Sequence, residues 1–289
     1  MHYESFSVRE MNTAEELWEA LSPTREIIAQ PCNLIFRGQA NANWGLVPSV
    51  LRSCSANPAS RVWGAGVKAE EQIFTEVRLL EEFAEFCDQT GIRIPNDSIE
   101  FRKNALRFDN QDSFYKNPTL WPNEKLLEVM ALAQHHGVPT RLLDWTKQPY
   151  VSAYFAASGA LSNHLKWEAG EKLAIWVLNI ELINLYRTVK VLKIPGSVTP
   201  HLSAQSGLFT VHPHNGSRGG AFEVRGLEEE FRTLPNSPLL KITLPVEQSC
   251  RLLELCAKAS FTGATIYPSA DGSGKAVMDS MNIWAYQKL

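Results

Sequence analysis

An α+β fold, with a mixed sheet core and surrounding helices, is the class this sequence predicts, and three observations predict it. Short apolar runs such as NLIFRG (33–38), KLAIWVLNI (172–180) and LLKITL (239–244) read as strands. Longer stretches repeat their apolar residues at helical spacing, as Ile73, Val77, Leu80 and Ala84 do. The two kinds of segment interleave irregularly, without the even spacing of βαβ units.

Taken in chain order, Thr13-Ala-Glu-Glu16 is a capping-box pattern, and Leu17, Trp18 and Leu21 continue it as a helix ending near Pro23. NLIFRG follows as a strand closed by glycine. Residues 53–66 are rich in Ser, Pro, Gly and Asn and read as a loop. A helix is expected from Lys68 to about Gln89, with Gly91 as its stop, then a helix around Ile99–Leu106 and a loop through DNQDSFYKNPTLWPN. Glu124–His136 is a helix ended by Gly137, TRLLDW a strand, and Pro149–Leu161 a helix with proline in its first turn. Further strands are expected at 172–180, 190–194, 207–211 and 239–244. Helices are expected over 246–259 and 275–287, with GATIYP between them as a strand. The whole of 1–289 reads as one domain with a helical insertion near 68–122.

Bulk properties narrow the function. The 28 basic and 31 acidic residues give a net charge of −3, so no global basic field recruits nucleic acid. The start of the chain lacks the pattern of a signal peptide, and the most apolar run is too short to span a bilayer. Five cysteines without a C-x-x-C pair fit a reducing compartment. A cytoplasmic protein with no membrane association is expected.

The chemistry concentrates in AQHHGVPTRLLDWT (133–146), where a helix end runs into a strand. His135 and His136 sit in the last turn of a helix, where capping free carbonyls would explain either. Arg141 and Asp144 could pair with each other, the commoner reason for such residues in a core. Density argues otherwise: Gln134, His135, Arg141, Asp144, Trp145 and Thr146 share one connection, and each unsatisfied polar group would cost about 1–3 kcal/mol. Clusters of this kind persist as networks or as sites. Arg37, in Phe36-Arg37-Gly38-Gln39, ends an apolar strand where its fork could meet a phosphate or carboxylate, or form a structural salt bridge. Gln205 precedes a glycine and a short strand flanked by His201, His212 and His214, whose spacing matches no compact metal motif, and no metal site is expected. ADGSGKA (270–276) lacks the first glycine and the Ser/Thr of a phosphate loop.

Four blocks in order, IFRGQANANWGLVPSVLR (35–52), EVMALAQHHGVPTRLLDWTKQPYVSAYFAA (128–157), AQSGLFT (204–210) and GATIYPSADG (263–272), resemble the FRG-domain family. The pattern is similar to that of ADP-ribosyltransferases. That resemblance implies NAD as substrate and an ADP-ribosyltransferase-like sheet. It gives Arg37 as the anchor for NAD, Leu143–Thr146 leading into Ala153-Tyr154-Phe155-Ala156 as the second element, and Gln205 near the ribose. Members also resemble toxin components of bacterial anti-phage systems, which implies an antitoxin protein as partner. Asp144-Trp145-Thr146 stands where arginine-type transferases carry Ser-Thr-Ser, and no Glu-x-Glu pair is evident.

The resulting expectation is NAD-dependent ADP-ribosyl transfer by a defence toxin. Arg37, His135, Asp144 and Gln205 would be catalytic, and Arg37, Gly38, Gln39, Arg141, Trp145, Thr146 and Tyr154 would hold NAD. The acceptor would be protein or nucleic acid, RNA or DNA with RNA favoured, and Arg52, Arg61, Trp63 and Lys68 could line a strand-binding groove. Two alternatives stand beside it: a non-enzymatic nucleotide- or nucleic-acid-binding module, and a metal-free nuclease using His135 and Asp144.

Overall fold

The computed structural model describes residues 3–288 except 26–32, 53–57, 65, 187, 197–202 and 234. Its strands are β1 (Ser7–Glu10), β2 (Leu34–Gln39), β3 (Leu142–Thr146), β4 (Lys172–Asn179), β5 (Lys190–Leu192), β6 (Gly207–Val211) and β7 (Leu239–Pro245). They form one mixed sheet in the order β1-β7-β4-β2-β3-β6-β5, with β1 parallel to β7 and all other neighbours antiparallel. The helices that position the site are α1 (Ala14–Ala20), α2 (Pro58–Trp63), α3 (Ala69–Gln89), α4 (Leu127–His135), α5 (Pro149–Leu161), α6 (Ser249–Lys258), α7 (Gly263–Ile266) and α8 (Ala270–Tyr286). No helix among the described residues is long and apolar enough to cross a membrane.

Strand β4 explains the centre of the sheet. Its six inner residues are buried on both faces, as a continuous apolar run predicts. Leu173, Ile175 and Val177 face a core built with Phe36, Ile242 and Leu244 against α1, α5 and α6. Trp176 and Leu178 face the opposite core, with Ile35, Leu143, Trp145, Leu208 and Phe231. A third core joins α3 and α4 to Leu142, Phe209 and Val211, so the stretch expected as a helical insertion covers the β3–β6 half of the sheet. Gly38 lets α5 lie directly on β2: a Cβ there would sit 2.0 Å from the Ser152 carbonyl oxygen and 2.8 Å from the Ala156 nitrogen.

Several expectations need correction. The 53–66 loop contains α2, and residues 53–57 and 65 lie outside the described residues. GATIYP is a helical turn, not a strand, because the Thr262 side chain accepts from the Thr265 nitrogen and starts α7. Helix α8 begins five residues earlier than expected, at Ala270, capped by Ser269. Two glycines let α7 and α8 pack closely: a Cβ on Gly272 of α8 would lie 1.8 Å from the Tyr267 carbonyl oxygen, and one on Gly263 of α7 would lie 2.7 Å from the Ala276 nitrogen. ADGSGKA is therefore a helix start pressed against α7. Strand β1, an exposed edge strand with no apolar alternation, carried no sequence signal.

Candidate active site

The sheet divides between β2 and β3. These strands share one pair, Phe36 opposite Thr146, while β2 pairs with β4 along its whole length and β3 with β6 along its own. Beyond that pair the ladder between the strands ends, and a cleft of about 510 Å³ lies beside them, within the range of small-molecule sites. Arg37 lines this cleft from β2. Its Nη1 donates to the Asp144 backbone oxygen at 2.7 Å, so a side chain takes the place of a ladder bond. The same Nη1 lies 3.7 Å from the Asp144 carboxylate. The Arg37 Nε is buried with no hydrogen-bond partner. Burial pushes this guanidinium below its ordinary pKa, against the upward pull of Asp144, and the charge of Arg52 pushes it down further. A largely buried cation with an unmet donor has the chemistry to take an anionic partner.

Asp144 is held from a second side. Its side chain is 64% exposed although Leu143 and Trp145 on either side are buried. Gln134 at the end of α4 donates from Nε2 to Asp144 Oδ1 at 2.8 Å. Thr140 Oγ1 accepts from the Leu142 nitrogen at 3.3 Å and turns its proton to Gln134 Oε1, which fixes the amide with its NH₂ toward Asp144. The carboxylate is aimed but stays open to a ligand. His135, the last residue of α4, lines the same cleft. Gln205 lines it too, its backbone oxygen accepting from Thr146 Oγ1 at 2.6 Å and its Nε2 donating to the Ile266 oxygen at 3.4 Å. Arg37, His135, Asp144 and Gln205 thus come together from two strands, a helix end and a loop.

The expected NAD-binding residues divide. Gly38, Gln39, Trp145 and Thr146 line the cleft, but their polar atoms serve the fold. Gln39 accepts from Trp176 Nε1 at 2.7 Å and donates to the Gly45 oxygen at 3.2 Å. The Trp145 indole donates to Thr210 Oγ1 at 2.9 Å. Two residues lie elsewhere. Tyr154 is buried, and its hydroxyl donates to Asp279 Oδ2 at 2.7 Å. Burial and that bond push its phenol up. Arg141, fully buried, donates from Nε to Glu76 Oε2 at 2.6 Å and from Nη2 to Glu76 Oε1 at 2.5 Å, with Nη1 on the His212 oxygen at 3.1 Å. Strand position alone does not tell which core a flanking side chain enters, and Arg141 enters a network with Glu76, Trp121, His212 and His214.

That network borders another hollow, of about 680 Å³. Its charged groups are paired, Lys190 with Glu124 and Arg225 with Glu223 at the rim and Arg141 with Glu76 below, while His212 Nδ1 and His214 Nε2 are buried without a hydrogen-bond partner. The first cleft, with an exposed Asp144 carboxylate and an unpartnered Arg37 Nε, is the better site. Burial, and then the charge of Arg141, lowers the imidazole of His212 to about 3 and that of His214 to about 2. An unfolded histidine titrates near 6.5. Protonation therefore favours the unfolded chain, and stability that is full above pH 6.5 is lost as pH falls toward those values. At pH 5 each histidine is expected to remove about 2 kcal/mol. Urea midpoints equal at pH 7.5 and pH 5 would refute that expectation. His201 lies outside the described residues, and His212 and His214 are buried.

Sequence reasoning missed two wall residues, Tyr267 and Trp44, and considered a third, Arg52, only for a strand-binding groove. Tyr267, after α7, is raised to about 12 by burial and by the charges of Asp144 and Asp279, and presents a neutral phenol. Trp44 and Arg52 stand at the cleft wall beside Arg37. Of the four residues considered for a strand-binding groove, only Arg52 lines the cleft. Trp63 donates from its indole to Thr75 Oγ1 at 3.1 Å, and Lys68 precedes α3.

The fold is of the α+β class, a mixed seven-stranded sheet that divides over an exposed carboxylate and a largely buried guanidinium. Residues 32–164 match the model of the FRG domain family. The match runs from just before β2 through α5, so it spans Arg37, His135 and Asp144 and stops short of Gln205 and Tyr267. Neither a search of the curated proteins nor one of the solved structures gave a match.

Proposed function

We propose that this cleft binds NAD and that the protein is an ADP-ribosyltransferase. One observation carries the reading: Arg37, His135, Asp144 and Gln205, spread over 169 residues of chain by their numbering, border a single opening. Arg37 offers its cationic fork to the diphosphate. The bond between C1′ of the ribose and the nicotinamide nitrogen breaks, its electron pair leaving with nicotinamide as a neutral base. The ribose acquires oxocarbenium character, which the Asp144 carboxylate stabilises. An acceptor hydroxyl then forms the new bond to C1′, and its proton passes to Asp144. Gln134 keeps the carboxylate aimed, and Gln205 and Tyr267, which line the same cleft, would orient ribose hydroxyls.

The resemblance to anti-phage toxins extends the proposal to a defence toxin acting on a nucleic acid, RNA in preference, or on a protein, with an antitoxin as its natural restraint. The test is incubation with NAD labelled in the adenylate, with and without cell extract, following both free nicotinamide and label in macromolecules. Wild type is expected to release nicotinamide or transfer label, and Arg37→Ala to do neither. Thermal stabilisation by NAD with no product from wild type would replace the transferase by a binding module, and RNA cleavage without NAD would replace it by a nuclease.

A further inference from the structure

Trp44 stands at the wall of the cleft with 54% of its surface exposed. A single exposed tryptophan is ordinary on a surface, but this one is mounted on a loop that cannot easily move. The Ala42 nitrogen donates to the Lys172 oxygen at 2.6 Å, and Lys241 Nζ donates to the Ala42 oxygen. Asn41 Nδ2 donates to Glu171 Oε1 at 3.1 Å, and the Asn43 nitrogen to Asn41 Oδ1 at 2.8 Å. On the far side of Trp44, the Gly45 oxygen accepts from Gln39, and the Leu46 nitrogen donates to Glu228 Oε2 at 2.9 Å. The loop is thereby tied to β4, β7 and the 227–233 turn. Among the described residues, no aromatic ring or cation covers the Trp44 indole.

Arg52 belongs to the same wall. Its Nε donates to the Val47 oxygen at 3.1 Å, which holds the side chain against the Trp44 loop. It lies close enough to Arg37 for the two charges to oppose each other. Two guanidiniums and one exposed indole on a tethered loop line the same cleft and match the two halves of a nucleotide: anionic phosphate oxygens for the arginines and a π-face for the tryptophan.

We infer that Trp44 and Arg52 form a subsite for the adenylate half of a dinucleotide, with the adenine stacked on the indole and the phosphate between Arg52 and Arg37. The assignment rests on the reading of the cleft as a nucleotide site, but it needs no chemistry to occur there. In this arrangement the indole serves adenine alone, so a mononucleotide carrying only the nicotinamide half, NMN, is expected to make no contact with it.

Calorimetric titration of the full chain with AMP, ADP-ribose and NMN tests it. AMP and ADP-ribose are expected to bind, Trp44→Ala to weaken both about 10–100-fold, and Trp44→Phe to stay within about threefold of wild type because a smaller π-face remains. NMN affinity is expected to be the same in all three proteins. The indole is half exposed, so the variants are expected to melt with wild type. Equal AMP affinity in wild type and Trp44→Ala overturns the inference, as does failure of AMP to bind a protein that still consumes NAD. A short single-stranded oligoadenylate that binds through Trp44 while AMP does not would assign the indole to a nucleic acid acceptor and overturn the adenylate occupant. Binding of AMP through Trp44 without any nicotinamide release supports the subsite and removes the transferase.

Discussion

Replacing Asp144 with asparagine is expected to lower nicotinamide release about 10²–10³-fold, the range typical of removing one preorganised electrostatic contact at a reacting centre. The substitution keeps the shape of the side chain. It also keeps both structural bonds at this position, because Arg37 holds the backbone oxygen and Gln134 can still donate to the remaining carbonyl oxygen. The melting temperature and the affinity for AMP are therefore expected to stay near wild type, with the loss confined to turnover. An asparagine variant that turns over at the wild-type rate would show that the carboxylate takes no part in the reaction.

The second large effect falls on stability. Arg141→Met is expected to cost about 3–5 kcal/mol in urea unfolding, because it strands a buried carboxylate. Glu76 is 4% exposed and receives two bonds from Arg141, with Trp121 Nε1 at 2.9 Å and Gln72 Nε2 at 2.8 Å as its remaining donors. Converting Glu76 to glutamine in the same chain removes the stranded charge and is expected to restore part of the loss. Nucleotide affinity in the folded fraction is expected to be unchanged, since the network stands apart from the cleft. A single variant as stable as wild type would contradict the description of the pair as the brace of this core.

The contrast between these two residues shows what the chain reveals when read alone. Asp144 and Arg141 are three positions apart in one polar cluster, and nothing in their spacing tells that one opens to solvent while the other meets Glu76, 65 residues earlier. The apolar runs and helix boundaries were legible because they are local: Pro149 starts α5 and Gly137 follows α4. The polar residues at the site were legible because they interrupt apolar elements, as Arg37 does in β2. Tyr154 was misplaced because its partner, Asp279, lies 125 residues further on. Trp44 and Tyr267 sit in segments whose positions depend on contacts with Glu228, Lys241 and α8, which no periodicity encodes. GATIYP misled because β-branched residues suggest a strand, while the capping hydroxyl of Thr262 decides the local conformation.

The single pair joining β2 to β3 has a structural consequence. On one face the two halves of the sheet share a floor, since Ile35 and Trp176 pack in the same cluster as Leu143, Trp145 and Leu208. On the other face each half carries its own separate ballast, Phe36 with α5 on one side and Leu142 with α3 and α4 on the other. The two halves therefore meet at a seam joined by one ladder pair and a common floor, and the cleft lies on the side where their packing is separate.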